Sequence, residues 1–212
     1  MHSATEDYKT KREELWNAIT HGLGFILAIP ALVLLILQAG TFNSPLYMVS
    51  FIVFGISMLL LFLASTLLHS VPEKMKKVCS IIDHSSIYIL IAGTYTPFAL
   101  LAIGGKLGWA IFGLEWGFAI IGILFKCFFI HKYEALSLVF YIAMGWVIIF
   151  AFKPIVAHIT MTGFWLLLTG GLLYTIGAYF YANRKIPYNH AIWHLFVLGG
   201  SAMMFFCVIG YV

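Results

Sequence analysis

The sequence predicts an all-α membrane protein, a seven-transmembrane helix bundle with its N-terminus in the cytoplasm and its C-terminus outside. Composition is the first indication. Of the 212 residues, 62% are hydrophobic and only 9% are charged, whereas a soluble domain has about 45–50% apolar and about 25% charged residues. So few charges cannot cover the surface of a soluble particle, so most of the surface must face lipid. The other two indications are seven long apolar segments and the placement of the basic residues.

Each apolar segment is long enough to cross a bilayer, because a spanning helix needs about 20 mostly apolar residues. The breaks between segments carry turn or charge signals, such as TFNSP at 41–45 and NRKIPYN at 183–189. These breaks are short, so neighbouring helices are expected to be antiparallel within one domain, residues 1–212. The predicted spans are residues 18–38, 46–69, 80–102, 108–129, 135–152, 162–182 and 189–211.

The basic residues orient the bundle. If the N-terminus is cytoplasmic, ten of the twelve Lys and Arg residues lie in inner segments, and only Lys106 and Lys153 lie in outer loops. This bias follows the positive-inside rule and predicts the orientation given above. Because the basic residues occur in short clusters between apolar runs, they indicate membrane orientation, and no nucleic-acid partner is expected.

Several ionisable side chains fall at the predicted cytoplasmic ends of the spans. His69 ends the second span, Asp83 begins the third, and His190 and His194 begin the seventh. Ionisable groups in a membrane are costly and generally face a cavity, a partner or a metal. Their shared depth on three different helices therefore indicates one common site.

The spacing of these residues favours a metal centre. His190 and His194 are four residues apart, so both rings project from one helical face, and His69 supplies a third nitrogen. Three protein ligands and one water are typical of catalytic zinc. Zinc is the expected cofactor, because zinc with oxygen and nitrogen ligands suits this set better than copper or an iron–sulfur centre when no cysteine lies in these motifs. Asp83 is either a fourth ligand or a base that holds the metal-bound water. Ser65, one turn before His69, can hydrogen-bond the water or a substrate oxygen.

Two further sets of polar residues stand apart from these motifs. Glu14, Asn17 and His21 share one stripe of the first helix and either line the inner mouth of the cavity or fasten the N-terminal segment to it. Glu115 lies in the outer half of the fourth span, where it faces either a water-filled vestibule or a neighbouring chain.

Taken together, the motifs resemble those of the haemolysin III family, the bacterial branch of the progestin and adipoQ receptor group. The resemblance covers nearly the whole chain, and it extends to the wider membrane-hydrolase superfamily that includes the alkaline ceramidases. The motifs that carry it are Glu14-x-x-Asn17-x-x-x-His21, Ser65-x-x-x-His69, Asp83 early in the third span, and His190-x-x-x-His194.

The resemblance implies a seven-helix protein of the bacterial plasma membrane with a zinc ion held by three histidines. The implied ligands are His69, His190 and His194, with Asp83 contacting the zinc-bound water and Ser65 beside it. Eukaryotic members of the group are linked to ceramide hydrolysis and receptor signalling. The bacterial branch takes its name from haemolytic activity and is connected with membrane lipid homeostasis.

The leading functional hypothesis is a zinc-dependent intramembrane hydrolase that cleaves an amide or ester bond of a membrane lipid. Zinc lowers the pKa of bound water from about 15.7 to about 7, and Asp83 would accept the proton. The alternatives are a sensor or regulator of membrane state with structural zinc, and a haemolysin-type cytolytic protein. Cytolysis is disfavoured because no polar stripe runs through all membrane depths. Ion transport is disfavoured because the ionisable residues crowd one face.

Overall fold

The computed structural model describes residues 4–130 and 132–212. Within these residues, seven helical segments are long and apolar enough to cross a membrane, which confirms the predicted all-α bundle of seven spans. The helices are α1 (Ala4–Thr41), α2 (Pro45–Ser70), α3 (Glu73–Pro97), α4 (Gly105–Phe129), α5 (Glu134–Gly145), α6 (Phe152–His158), α7 (Met161–Ala182) and α8 (Asn189–Tyr211).

Proline and glycine set the turns between the first four spans. Pro45 lies in the first turn of α2, where its missing N–H leaves no helical acceptor unpaired. Pro97 ends α3, and the third span continues as a π-helix over Phe98–Ile103. Gly104 and Gly105 then adopt φ angles of 64° and 55°, a conformation that glycine reaches without steric cost. The chain reverses there into α4.

The first helix is longer than its predicted span. It begins at Ala4 rather than at residue 18, because the polar residues that precede the apolar segment continue the same helix. Glu14 and Asn17 are therefore in continuous helical register with His21. This extension matters for the site, because it fixes all three side chains on a rigid element.

The fifth span differs most from the prediction, which placed it at 135–152 and a loop at 153–158. The structure has α5, a 3₁₀-helix over Val147–Ala151, and then α6 as far as His158. The predicted loop is helical because Pro154 falls in the first turn of α6, where a residue without an N–H is tolerated. The fifth span is thus complete in length and broken in the middle.

The hydroxyl of Tyr95 holds that break together. It donates a hydrogen bond to the carbonyl of Gly145 at 2.9 Å and accepts one from the N–H of Ile148 at 2.8 Å. Peptide groups released from a helix inside a membrane need partners within the protein. A side chain of α3 supplies both partners here.

The most buried spans are α3, α2 and α8. The share of buried residues in their apolar windows is 72%, 56% and 44%, against 22–28% for the other spans. Helices α1 and α3 pack on either side of α2, and α8 packs against α1 and α7. The three helices at the centre of the bundle are those that carry the predicted histidines and Asp83.

Candidate metal centre

Three histidines from two helices converge near one end of the bundle. His69 lies one residue before the end of α2, and His190 and His194 lie in the first two turns of α8. One ring nitrogen from each can be chosen so that all three atoms lie within 4.8 Å of one another. The rings meet at interplanar angles of 63–70°, so they are turned toward a common centre and are not stacked. The structure thus brings together all three predicted ligands.

Hydrogen bonds occupy the Nδ1 atoms of two of these rings. His69 Nδ1 lies 3.0 Å from Glu14 Oε2, and His194 Nδ1 lies 3.1 Å from the carbonyl oxygen of Asn17. A carbonyl can only accept, so Nδ1 of His194 carries the proton and Nε2 keeps its lone pair. Such second partners fix the tautomer and orientation of metal-ligating histidines.

The Nε2 atoms are left to face the centre. Those of His69 and His190 are buried and have no hydrogen-bond partner among the described residues, while His194 Nε2 lies 3.5 Å from Ser65 Oγ. Buried ring nitrogens without partners are costly, and one shared cation would satisfy the three lone pairs at once. The donor set therefore fits a single divalent metal ion with three imidazole ligands.

Asp83 lies beside this centre and not within the three-histidine cluster. Its side chain is buried, with 3% of the residue exposed. Ser65 on α2 is also buried, and its hydroxyl lies 3.5 Å from Nε2 of His194. Asp83 Oδ2 also lies 3.7 Å from Nδ1 of His84. Asp83 is not part of the group of ligand atoms that lie within 4.8 Å of one another, and its role as fourth ligand or as base stays a prediction.

The stripe on α1 also belongs to the site. Glu14 binds His69 and, at 2.6 Å, Lys76 Nζ, and so joins α1 to α2 and α3. His21 stacks on His194 with ring centroids 3.5 Å apart and planes 13° apart. The stripe lines the centre and fastens α1 to it, so the two roles weighed from the sequence occur together.

Two supporting residues were not identified from the sequence. In the sequence Lys76 contributes only to the positive-inside bias, and its bond to Glu14 has no local signal because 62 residues separate the two. Thr20 lies 3.1 Å from His194 Nδ1. Its spacing of three residues from Asn17 places it on the same face of α1, which is the signal that would have found it.

An apolar cavity of about 120 Å³ lies directly beyond the centre. The next turn of each site helix forms part of its wall, with Leu61 following Ser65 on α2, Ile87 following Asp83 on α3, and Val197 on α8. A cavity of about 150 Å³ with similar walls accommodates a benzene-sized apolar group. A space suited to a segment of hydrocarbon therefore lies one helical turn deeper than the polar centre, between the same helices.

The chain matches the family model described as haemolysin-III related over residues 9–205. It is 55% identical over 202 residues to "Hemolysin-3" of Bacillus cereus, covering 95% of this chain and 92% of that protein. It is 54% identical over 203 residues to "Hemolysin-3 homolog" of Bacillus subtilis (strain 168), covering 95% of each. The human "Monocyte to macrophage differentiation factor" is 29% identical over 206 residues, covering 92% of this chain and 83% of that protein.

These matches confirm the resemblance inferred from the motifs, and they extend over both the α1 stripe and the histidines of α8. The seven apolar helices and the bacterial relatives agree on the location. The chain belongs to the haemolysin III family and is a multi-pass protein of the plasma membrane.

Proposed function

We propose that this protein is a zinc-dependent intramembrane hydrolase that cleaves an amide or ester bond of a membrane lipid. The observation that carries the proposal is the succession of two unlike environments along the same helices. Three histidine nitrogens and a buried carboxylate lie on one side, and an apolar cavity between the same helices lies on the other. A lipid has the same two parts, a polar linkage and a hydrocarbon chain.

His69, His190 and His194 would hold the zinc ion through Nε2. Imidazole nitrogens suit zinc, and three protein ligands leave a coordination position open for chemistry. When bound, zinc would supply a Lewis acid that polarises a carbonyl and lowers the pKa of a coordinated water. The placement of Asp83 outside the histidine cluster supports an open position and so favours an enzyme over a structural zinc site.

Asp83 and Ser65 are the groups placed to handle protons and orient the substrate. The Asp83 carboxylate is the buried base at this end of the bundle. Ser65 Oγ lies 3.5 Å from His194 Nε2, so its hydroxyl can also reach a substrate oxygen beside the histidines. Burial keeps bulk water from competing for these contacts.

The cavity would bind the acyl chain next to the scissile bond. Its walls are mainly apolar and aromatic side chains from α2, α3, α5, α7 and α8, and a small number of hydroxyls contribute. Pockets of this kind bind a ligand by apolar contact and orient it through few polar groups. The chain would lie along the membrane interior while the linkage meets Asp83 at the end of the bundle.

The test measures zinc content and lipid turnover on the same purified samples. We expect about one zinc ion per wild-type chain and hydrolysis of at least one member of a panel of ceramides and phospholipids. His190→Ala should lose both zinc and turnover, whereas Asp83→Asn should keep zinc and lose turnover. His158→Ala is the matched control, because His158 is exposed at the end of α6, and it should keep both.

The outcomes separate the parts of the proposal. Undiminished turnover by Asp83→Asn would refute its role as the base. A zinc-loaded wild type that hydrolyses no lipid of the panel would refute the hydrolase and favour a sensor or regulator that uses zinc structurally.

A further inference from the structure

Glu115 is an acidic residue enclosed in the membrane interior, apart from the metal centre. It lies in α4 with 0% of its surface exposed, and neither carboxyl oxygen has a hydrogen-bond partner among the described residues. The sequence suggested a vestibule or a neighbouring chain as its surroundings. The structure instead buries Glu115 inside its own chain.

The position of Glu115 separates it from the histidines. Gly122 of α4 lies against the ring of Tyr88 on α3, and since the two helices are antiparallel, Glu115 is level with Tyr95. Tyr95 lies twelve residues beyond Asp83, or about 18 Å along the helix. Glu115 is therefore near the middle of the membrane and outside the proposed active site.

The surroundings of Glu115 are apolar. Ile111 and Ala119 lie one turn to either side of it on α4, and both belong to clusters of buried residues. Those clusters include small and aliphatic side chains of α3 and of the break in the fifth span. No side chain of the described residues forms a hydrogen bond with its carboxyl oxygens, and Tyr95 of α3 is the titratable side chain level with it. An unpaired ionised carboxylate in such a place is strongly disfavoured.

The nearby donors are already committed to other acceptors. The Tyr95 hydroxyl donates to Gly145, the Thr96 hydroxyl donates to the carbonyl of Ala92, and the indole N–H of Trp116 donates to Thr96. An ionised Glu115 would therefore have no donor unless one of these bonds broke. One positive charge must accompany the carboxylate in the structure as it stands.

A proton meets this requirement better than a metal ion. Metal cations bind several oxygen ligands, whereas Glu115 brings two oxygens and the Tyr95 hydroxyl at the same level is engaged at the helix break. A proton needs only the carboxyl group. The break itself is a second indication, because discontinuous membrane helices enclosed in protein are recurrent places for coupling ions and protons.

We propose that Glu115 is a proton-binding site in the membrane interior, set against the break in the fifth span and distinct from the histidine centre. The site connects to the cavity through Tyr95, which lines the cavity wall together with Gly145. Loss of the proton would make Glu115 compete for the Tyr95 O–H. The Gly145 carbonyl would then lose its partner, and the wall of the cavity would change.

The test is chemical modification of the full-length protein in native membranes with dicyclohexylcarbodiimide, followed by peptide mapping by mass spectrometry. A hydrophobic carbodiimide reacts with protonated carboxyl groups in apolar surroundings. We expect an adduct on Glu115 whose yield falls as the pH is raised and does not change with sodium concentration. A water-soluble carbodiimide should leave Glu115 unmodified and label exposed acids such as Glu73.

Protection by sodium at constant pH, or equal labelling by the water-soluble reagent, would overturn the proposal. Because Glu115 is fully buried, lack of an adduct also follows from exclusion of the reagent, and the infrared spectrum decides that case. A band of a protonated carboxylic acid in the wild-type spectrum should be missing from the spectrum of Glu115→Gln, and identical spectra would overturn the proposal. Labelling should persist in His190→Ala, which makes this result independent of the zinc site.

Discussion

Replacement of Glu14 by glutamine tests whether this residue, which lies outside the three-histidine cluster, supports metal binding by positioning His69. The carboxylate binds Nδ1 of His69 at 3.0 Å and the ammonium of Lys76 at 2.6 Å. Glutamine keeps the size of the side chain and can still accept one hydrogen bond, but it loses the negative charge. Glu14→Gln should therefore weaken metal binding without removing any metal ligand.

The expected loss can be estimated from the contacts. Removing a second partner of a metal-ligating histidine typically costs about 10- to 100-fold in metal affinity. The side chain of Glu14 is 36% exposed, so water can replace part of its interaction, and the lower end of the range applies. We expect a loss of about 10-fold in zinc affinity, which corresponds to about 1.4 kcal/mol.

The measurement is the zinc dissociation constant of detergent-purified protein, determined by competition with a chelating indicator. Glu13→Gln is the matched control, because it removes the adjacent carboxylate, which has no bond to the histidines. Equal dissociation constants for Glu14→Gln, Glu13→Gln and the wild type would refute the inference that Glu14 positions His69.

Three further predictions concern packing, metal and cavity. Gly122→Ala should lower the thermal midpoint of unfolding, because its new methyl group would overlap the Tyr88 ring and overpacking costs about 1–3 kcal/mol. The control is Gly117→Ala on the same helix, whose methyl group meets no atom within 4 Å and should not lower the midpoint. Equal losses for the two variants would contradict the packing argument. Removal of zinc by a chelator should lower the thermal midpoint of the wild type, and added zinc should restore it, since a ligand present at 1,000 times its dissociation constant stabilises the folded state by about 4.1 kcal/mol. No such shift is expected for the variant in which both α8 histidines are alanine. A shift in that variant would place the zinc elsewhere. Ala178→Leu fills part of the cavity wall and should reduce lipid turnover with zinc content unchanged; unchanged turnover would exclude the cavity as the acyl site.

Helix number and the histidine cluster could be predicted because each depends on a strong local signal. Seven apolar runs are visible in the sequence, and a pair such as His190 and His194 needs only the helical period to share a face. Membrane depth then connects His69 to that pair, because span ends on the same side of the bilayer lie at one level. Shared membrane depth was therefore sufficient to predict that the three histidines lie close together.

Other features could not be predicted, because they depend on contacts between distant segments. Whether Asp83 binds the metal or stands beside it depends on a separation that no spacing encodes. The break in the fifth span carries no proline at its centre, and it is held by Tyr95 about fifty residues earlier. Glu115 was visible as an isolated acid, but its enclosure follows from how α3 and α4 pack.

The position of the ligands along the chain sets an order on the assembly of the site. His69 lies on the second span and its two companions on the last, so most of the chain must be made before the donor set is complete. At about 5–20 residues per second, the interval between His69 and His194 is on the order of ten seconds. The contact of His194 with Asn17 also closes the ring of helices, because it joins the last span to the first. Completion of the donor set and closure of the bundle therefore both await the last span, and a chain that stops before its last helix would lack two of the three histidines.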